Sequence, residues 1–260
     1  MVARTAYLDG EPCWADVLAI DMDAAQDFYG GVLGWSFRAG DDAAGRYVMA
    51  LRDGQAVAGI SPPPPGPVQS AAWTLYLTSH DLDGTARLVD RCAGKVVMGP
   101  LDVPGNGRML FALDPTGAAF GVWEPGQHTG SALYGEAGAL CWAELNSREP
   151  ESADTFYRSL FDYEQRQIGD ADQFDYTAWS LGGETLCGRL KMTDSWTGIA
   201  PYWMVYFAVD DADAAAQAAT AAGGRVVQEP FDSTYGRIAV VTDPNGATLS
   251  LVDLSRATGT

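Results

Sequence analysis

Two stretches of this chain are near copies of each other, and that repetition limits the fold more than any other feature. PCWADVLAIDMDAAQDFYGGVLGW begins at Pro12, and LCWAELNSREPESADTFYRSLFDY begins at Leu140. Cys13-Trp14-Ala15-Asp16 answers to Cys141-Trp142-Ala143-Glu144, and Phe28-Tyr29 to Phe156-Tyr157, both at an offset of 128. Further along, Trp203 answers Trp73 at 130, and Asp243-Pro244-Asn245-Gly246 answers Asp114-Pro115-Thr116-Gly117 at 129. The change from 130 to 129 places one deletion near 233–235. Copies at such a spacing are units that fold alike.

Each unit reads as βαβββ. In the first, residues 16–20 are strand-like, with Trp14, Asp16 and Leu18 on one face by the two-residue period. Asp23 is the expected N-cap of a helix carrying Ala24, Ala25, Phe28 and Tyr29 at helical spacing. Gly30-Gly31 and Gly34 are expected to end it. Strands follow at 35–39, 46–51 and 55–61, with Asp53-Gly54 as the hairpin turn. Pro62-Pro63-Pro64-Pro65-Gly66-Pro67 is a stiff, extended linker. The second unit has a strand at 73–78, a helix at 81–93, a strand at 96–97 and a hairpin across the Asp-Pro-Thr-Gly turn. A Gly-rich connector, 124–138, holds His128. The third unit has its helix at 151–160 and its hairpin turn at Leu181-Gly182-Gly183-Glu184. The fourth starts at Tyr202.

Composition narrows the class. The chain has 260 residues, 47% of them hydrophobic and 19% charged, enough to bury a core. Its net charge of -18 argues against nucleic acid and anionic membrane as partners, because both need basic surface. No apolar run reaches a membrane span, and MVARTAYLDGEP lacks the apolar segment of a signal peptide. Cys13, Cys92, Cys141 and Cys187 are widely spaced, which suits buried thiols in a reducing cytoplasm.

The strand with Trp-x-Asp/Glu, the Phe-Tyr helix, the Asp-Pro-x-Gly hairpin and the repeated βαβββ unit together resemble the vicinal oxygen chelate superfamily, the glyoxalase/bleomycin-resistance/dioxygenase proteins. The tandem form is similar to actinobacterial two-domain glyoxalase-like proteins. The resemblance implies an α+β fold in which four βαβββ modules pair into two tandem domains, each with a curled mixed sheet around a cavity. The first domain would span 1–127 (modules 12–61 and 71–125) and the second 128–260 (modules 139–192 and 201–254).

Members that use a divalent ion hold it with His, Gln or Glu at two points per module. Counted from the motifs, these points are Trp14 and Ala58, Thr74 and Gly121, Trp142 and Cys187, and Met204 and Ser250. Only Cys187 is an ordinary ligand, and it stands alone. His80 and His128 are the chain's two histidines. A triad with a carboxylate requires that they converge; otherwise each is a surface or loop hydrogen-bonding residue. No metal and no cofactor are therefore expected.

In place of ligands, the shared face carries Trp14, Asp16, Thr74, Tyr76 and Trp123 in one half, and Trp142, Glu144, Met204 and Tyr206 in the other. Gly121 would leave room beside Trp123 for a flat ligand. Aromatic faces stack on planar rings, and a carboxylate accepts a hydrogen bond or pairs with an amine. The alternative is plain packing, with Asp16 and Glu144 paired to Arg108 and Arg237.

Two functions follow as expectations. One is metal-independent binding of a planar, largely apolar small molecule, such as an antibiotic or aromatic polyketide intermediate, for sequestration, resistance or support of a biosynthetic enzyme. The other is lyase, isomerase or hydroxylase-type chemistry on a similar substrate, with Asp16 or Glu144 as base. A metal-dependent glyoxalase or dioxygenase ranks last. The expected state is a cytoplasmic monomer or homodimer.

Overall fold

A computed structural model describes residues 4–40, 47–63, 70–169 and 174–259. The first module comprises β1 (Pro12–Leu18), α1 (Met22–Leu33), β2 (Ser36–Ala39), β3 (Val48–Arg52) and β4 (Gln55–Ser61). The second comprises β5 (Ala72–Thr78), α2 (Leu82–Arg91), β6 (Lys95–Val103), β7 (Gly107–Leu113) and β8 (Ala119–Pro125). In the third are β9 (Leu140–Ser147), α3 (Pro150–Phe161), β10 (Glu164–Ile168), β11 (Tyr176–Leu181) and β12 (Glu184–Lys191). The fourth holds β13 (Tyr202–Ala208), α4 (Ala212–Ala221), β14 (Arg225–Ser233), β15 (Gly236–Thr242) and β16 (Thr248–Asp253).

The first two modules share one mixed eight-stranded sheet, ordered β2-β3-β4-β1-β5-β8-β7-β6. The last two build its twin, β10-β11-β12-β9-β13-β16-β15-β14. Neither sheet closes into a barrel. The first strands of paired modules lie antiparallel at the centre, β1 on β5 and β9 on β13. The expected deletion falls in the turns between closing strands: Pro104-Gly105-Asn106 joins β6 to β7, whereas Thr234-Tyr235 joins β14 to β15.

Local chemistry accounts for the helix ends. Asp21, not Asp23, caps α1, its side chain accepting from Ala24 N at 3.0 Å. Asp23 lies inside the first turn, where its charge faces the positive end of the helix. Gly30 and Gly31 continue the helix, and Gly34 ends it at φ 67°. The strand expected at 96–97 extends over all of β6. Most of the proline-rich linker lies outside the described residues, as do Arg46 at the start of the expected strand 46–51 and the Asp41-Asp42 and Asp170 clusters, whose sequence reads as solvated loops.

One face of each sheet carries helices, and the two halves meet through them. The α1 helix packs on α4, and α2 packs on α3. One continuous core contains Phe28, Tyr29, Trp35 and Trp73 from the first half and Phe156, Tyr157, Trp179 and Trp203 from the second. Two hydrogen bonds cross it in matched fashion. Tyr29 Oη donates to Asp243 Oδ2 at 3.0 Å, and Tyr157 Oη donates to Asp114 Oδ2 at 3.2 Å. The Phe-Tyr helix of one half therefore meets the Asp-Pro-x-Gly turn of the other. Each turn aspartate also braces its own loop, Asp114 Oδ1 accepting from Ala118 N at 3.0 Å and Asp243 Oδ1 from Ala247 N at 2.8 Å.

Candidate functional site

The other face of each sheet holds the residues singled out by the repeat. Strand register sets Trp14 opposite Tyr76 and Asp16 opposite Thr74. In the second half it sets Trp142 opposite Tyr206 and Glu144 opposite Met204. Both carboxylates are buried, Asp16 at 7% exposure and Glu144 at 8%.

Their partners are tyrosines. Tyr76 Oη donates to Asp16 Oδ2 at 3.0 Å, and Tyr47 Oη approaches the same oxygen at 3.4 Å. Tyr47 in turn accepts from Trp14 Nε1 at 3.0 Å. The second half repeats this arrangement: Tyr206 Oη donates to Glu144 Oε1 at 3.0 Å, and Trp142 Nε1 donates to Tyr176 Oη at 2.9 Å. The expected pairing with arginine does not occur. Arg108 binds Asp83, Asp102 and Glu124, while Arg237 binds Asp213 and Asp232. Both sit on the closing strands, where acids of the neighbouring helix and strand lie closer than the central carboxylate.

Burial raises both carboxyls to about 7, against the hydrogen bonds of the tyrosines, which favour the ionised form. Each group is thus poised to be neutral or charged near physiological pH. The tyrosines beside them are held well above the ordinary phenol range, by burial first and by the carboxylate second.

Tyr47, Tyr176 and Asn146 went unnoticed in the sequence, although the repeat marks two of them: Tyr176 stands 129 residues after Tyr47. A matched glycine makes room for each. A Cβ on Gly59 would meet Tyr47 Oη at 1.8 Å, and one on Gly188 would meet Tyr176 Oη at 2.2 Å. These glycines, paired with Asp16 and Glu144, face the site. Ala58 and Cys187, reached by counting from the turn, join the helix-side core instead. A β-bulge between Ala50 and Leu51, and its copy between Trp179 and Ser180, shifts the facing residue by one.

The halves differ in what covers the face. In the first, Trp14, Tyr76, Trp123, Tyr7 and Cys13 form a small cluster of their own. The space beside Gly121 is not open for a flat ligand: the Tyr76 ring fills it, 2.3 Å from where a Cβ would stand. The His128 ring lies edge-on to Trp14 with centroids 4.5 Å apart, and Trp123 Nε1 donates to His128 O at 2.8 Å. Burial lowers the His128 pKa to about 4, so the ring is neutral. His80 is elsewhere, exposed and 2.6 Å from Asp9 Oδ1. In the second half, Trp142, Tyr202 and Tyr206 stay partly exposed, while Asn146 and Ser250 are buried on the same face.

Divalent-metal chemistry finds little support in these donors. Among the described residues each face offers one carboxylate, already engaged by tyrosine, where an ion needs three or more convergent ligands. Among the described residues, no group of three His, Cys, Asp or Glu is placed to hold an ion. Two open clefts, at 102–108 with 124–127 and at 232–234 with Arg256 and Thr258, include neither carboxylate.

Comparison with known proteins agrees with this architecture. The family model for the Glyoxalase/Bleomycin resistance protein/Dioxygenase superfamily matches residues 14–122 and 139–251. The chain belongs to that superfamily. It is 38% identical over 260 residues to the glyoxylase-like protein CFP32 of Mycobacterium tuberculosis, covering 97% of this chain and 98% of that one. It is 35% identical over 265 residues to the anthracycline biosynthesis protein DnrV of Streptomyces peucetius, covering 96% and 95%. Among solved structures, the Mn(II)-bound glyoxalase from Novosphingobium aromaticivorans superposes with a TM-score of 0.65 at 18% identity, covering 99% of this chain and 87% of that one. The 2,3-dioxygenase LapB from Pseudomonas sp. KL28 gives 0.68 at 14%, covering 95% and 93%. At such identities the structural likeness speaks to fold alone.

Proposed function

We propose that this protein binds a planar, largely apolar small molecule on its aromatic face without a metal ion. Its role would be sequestration or the support of a biosynthetic enzyme. The observation that carries the reading is the repeated set of a tryptophan bonded to a tyrosine beside a tyrosine-bonded carboxylate, Trp14–Tyr47 with Asp16 and Trp142–Tyr176 with Glu144, on the face where metal-using relatives place their ligands. Tryptophan and tyrosine supply rigid stacking area, and a carboxyl near neutrality takes a hydrogen bond as donor or acceptor. The relatives named for anthracycline biosynthesis favour an aromatic polyketide or its intermediate as ligand. Titration of intrinsic tryptophan fluorescence with a panel of polycyclic aromatic compounds tests this. Saturable quenching supports it; a flat response across the panel, with circular dichroism unchanged, overturns it.

A second reading rests on the raised carboxyls. Groups held at about 7 suit general acid–base work, which favours lyase, isomerase or hydroxylase-type chemistry with Asp16 or Glu144 as base. Turnover abolished by Asp16→Asn or Glu144→Gln, with binding retained, would establish it. Turnover unchanged in both would remove these residues from the chemistry.

A further inference from the structure

The second half carries buried polar atoms that no group among the described residues satisfies. Asn146 is 1% exposed and Ser250 is 0% exposed. Neither Asn146 Nδ2 nor Oδ1, nor Ser250 Oγ, has a hydrogen-bond partner. Asn146 shares its face with Trp142 and Glu144 by strand parity, and its position opposes Tyr202. It lies beside Glu144, near enough to favour the carboxylate, but outside hydrogen-bonding geometry. Ser250 sits beside Tyr206 on the neighbouring strand, near enough for its hydroxyl to favour the ionised phenol but outside hydrogen-bonding geometry. Together with the Tyr206–Glu144 bond they form one polar row below partly exposed aromatic rings.

A buried amide with both ends unpaired is costly, so such groups are kept where something supplies their partners. The first half lacks the row. Leu18 stands at the position of Asn146, and Gly121 at that of Ser250. Two buried side-chain atoms are unpaired there among the described residues: Trp73 Nε1, which lies in the helix-side core, and His128 Nε2, on the ring set edge-on to Trp14.

We infer that the second half is the binding half, and that its ligand is a planar aromatic molecule with a hydroxyl beside a carbonyl along one edge, received by Asn146 and Ser250. This rests on the binding function proposed above. The amide offers an acceptor oxygen and a donor nitrogen side by side, the complement of an adjacent hydroxyl and carbonyl. The ring system lies against Trp142, Tyr202 and Tyr206. The first half, with Tyr76 filling the space at Gly121 and His128 over Trp14, keeps the fold and leaves the ligand to its twin.

The test compares quinizarin, whose hydroxyls flank its carbonyls, with anthraquinone, which lacks them. Tryptophan quenching gives affinity and native mass spectrometry gives stoichiometry. The full chain is expected to take one quinizarin and to prefer it to anthraquinone. Asn146→Leu and Ser250→Ala should each weaken quinizarin about tenfold, leave anthraquinone within about twofold, and so erase the preference. Asn146→Leu should meanwhile melt no lower than the wild type, because it removes an unpaired buried amide. Should that variant not fold, Asn146→Asp keeps the volume and loses the paired donor and acceptor, with the same expected loss. Quinizarin binding that survives these changes in folded protein, or that reaches two per chain, overturns the assignment but not the binding function. Absence of saturable binding of either compound by the wild type overturns both.

Discussion

Tyr76 donates its hydroxyl hydrogen to Asp16 at 3.0 Å on a buried strand face, and among the described residues no arginine or lysine is bonded to the carboxylate. Tyr206 and Glu144 repeat the contact in the other half. Neutral donors soften the burial of a carboxylate but do not cancel its charge, so both groups titrate far above their unfolded values of about 4.

That shift has a definite sign in stability. A group whose pKa is higher in the folded state binds its proton more tightly there. Its contribution is complete below about pH 4 and is lost as the pH rises through about 7. Between pH 5 and 8 the wild type should therefore lose stability, by up to about 3 kcal/mol for each group. Asp16→Asn and Glu144→Gln should each flatten that slope and melt higher than the wild type at pH 8. Urea denaturation across this range measures it; parallel pH profiles for all three proteins would refute it.

The junction between halves makes a second prediction. Tyr29→Phe leaves Asp243 Oδ2 without its buried donor, and Tyr157→Phe does the same to Asp114. Each change should cost about 1–3 kcal/mol in equilibrium unfolding. A double-mutant cycle of Tyr29→Phe with Asp243→Asn should show coupling, because the two groups are bonded directly across the interface. Additive costs would mean that the bond contributes nothing to the junction.

Much of this architecture is readable from spacing. The offset of 128 that joins Trp14 to Trp142 also joins Asp16 to Glu144, and the register keeps all four on matching faces. What spacing misses is local. A bulge advances β4 by one residue, so counting from Asp53-Gly54 arrives at Ala58 when Gly59 faces the site. Arg108 and Arg237 match in position, but a side chain's partner depends on which acids lie nearest, and here those are Asp83 and Asp213. The Asp-Pro-x-Gly segments read correctly as turns, yet a turn signal says nothing about the tyrosine that arrives from the other half. His128 carries no motif, and only the packed fold puts its ring on Trp14.

The glycines of the site face can be tested directly. Gly121→Ala would drive its methyl into the Tyr76 ring, and Gly188→Ala would meet the Tyr176 hydroxyl. Each should destabilise the protein by about 1–3 kcal/mol, and Gly121→Ala should also shift the Asp16 titration by loosening its tyrosine. Thermal melts, with carboxyl titration followed by NMR, report both effects. An unchanged melt in both variants would mean that the tyrosines are not held where the structure places them.

The most direct test of the central claim is a tryptophan-fluorescence titration of chelator-treated protein with quinizarin, repeated after adding manganese(II). Metal-independent binding predicts the same saturable curve in both conditions. A response that appears only once manganese(II) is restored would contradict it and return this chain to the metal-dependent branch of its superfamily.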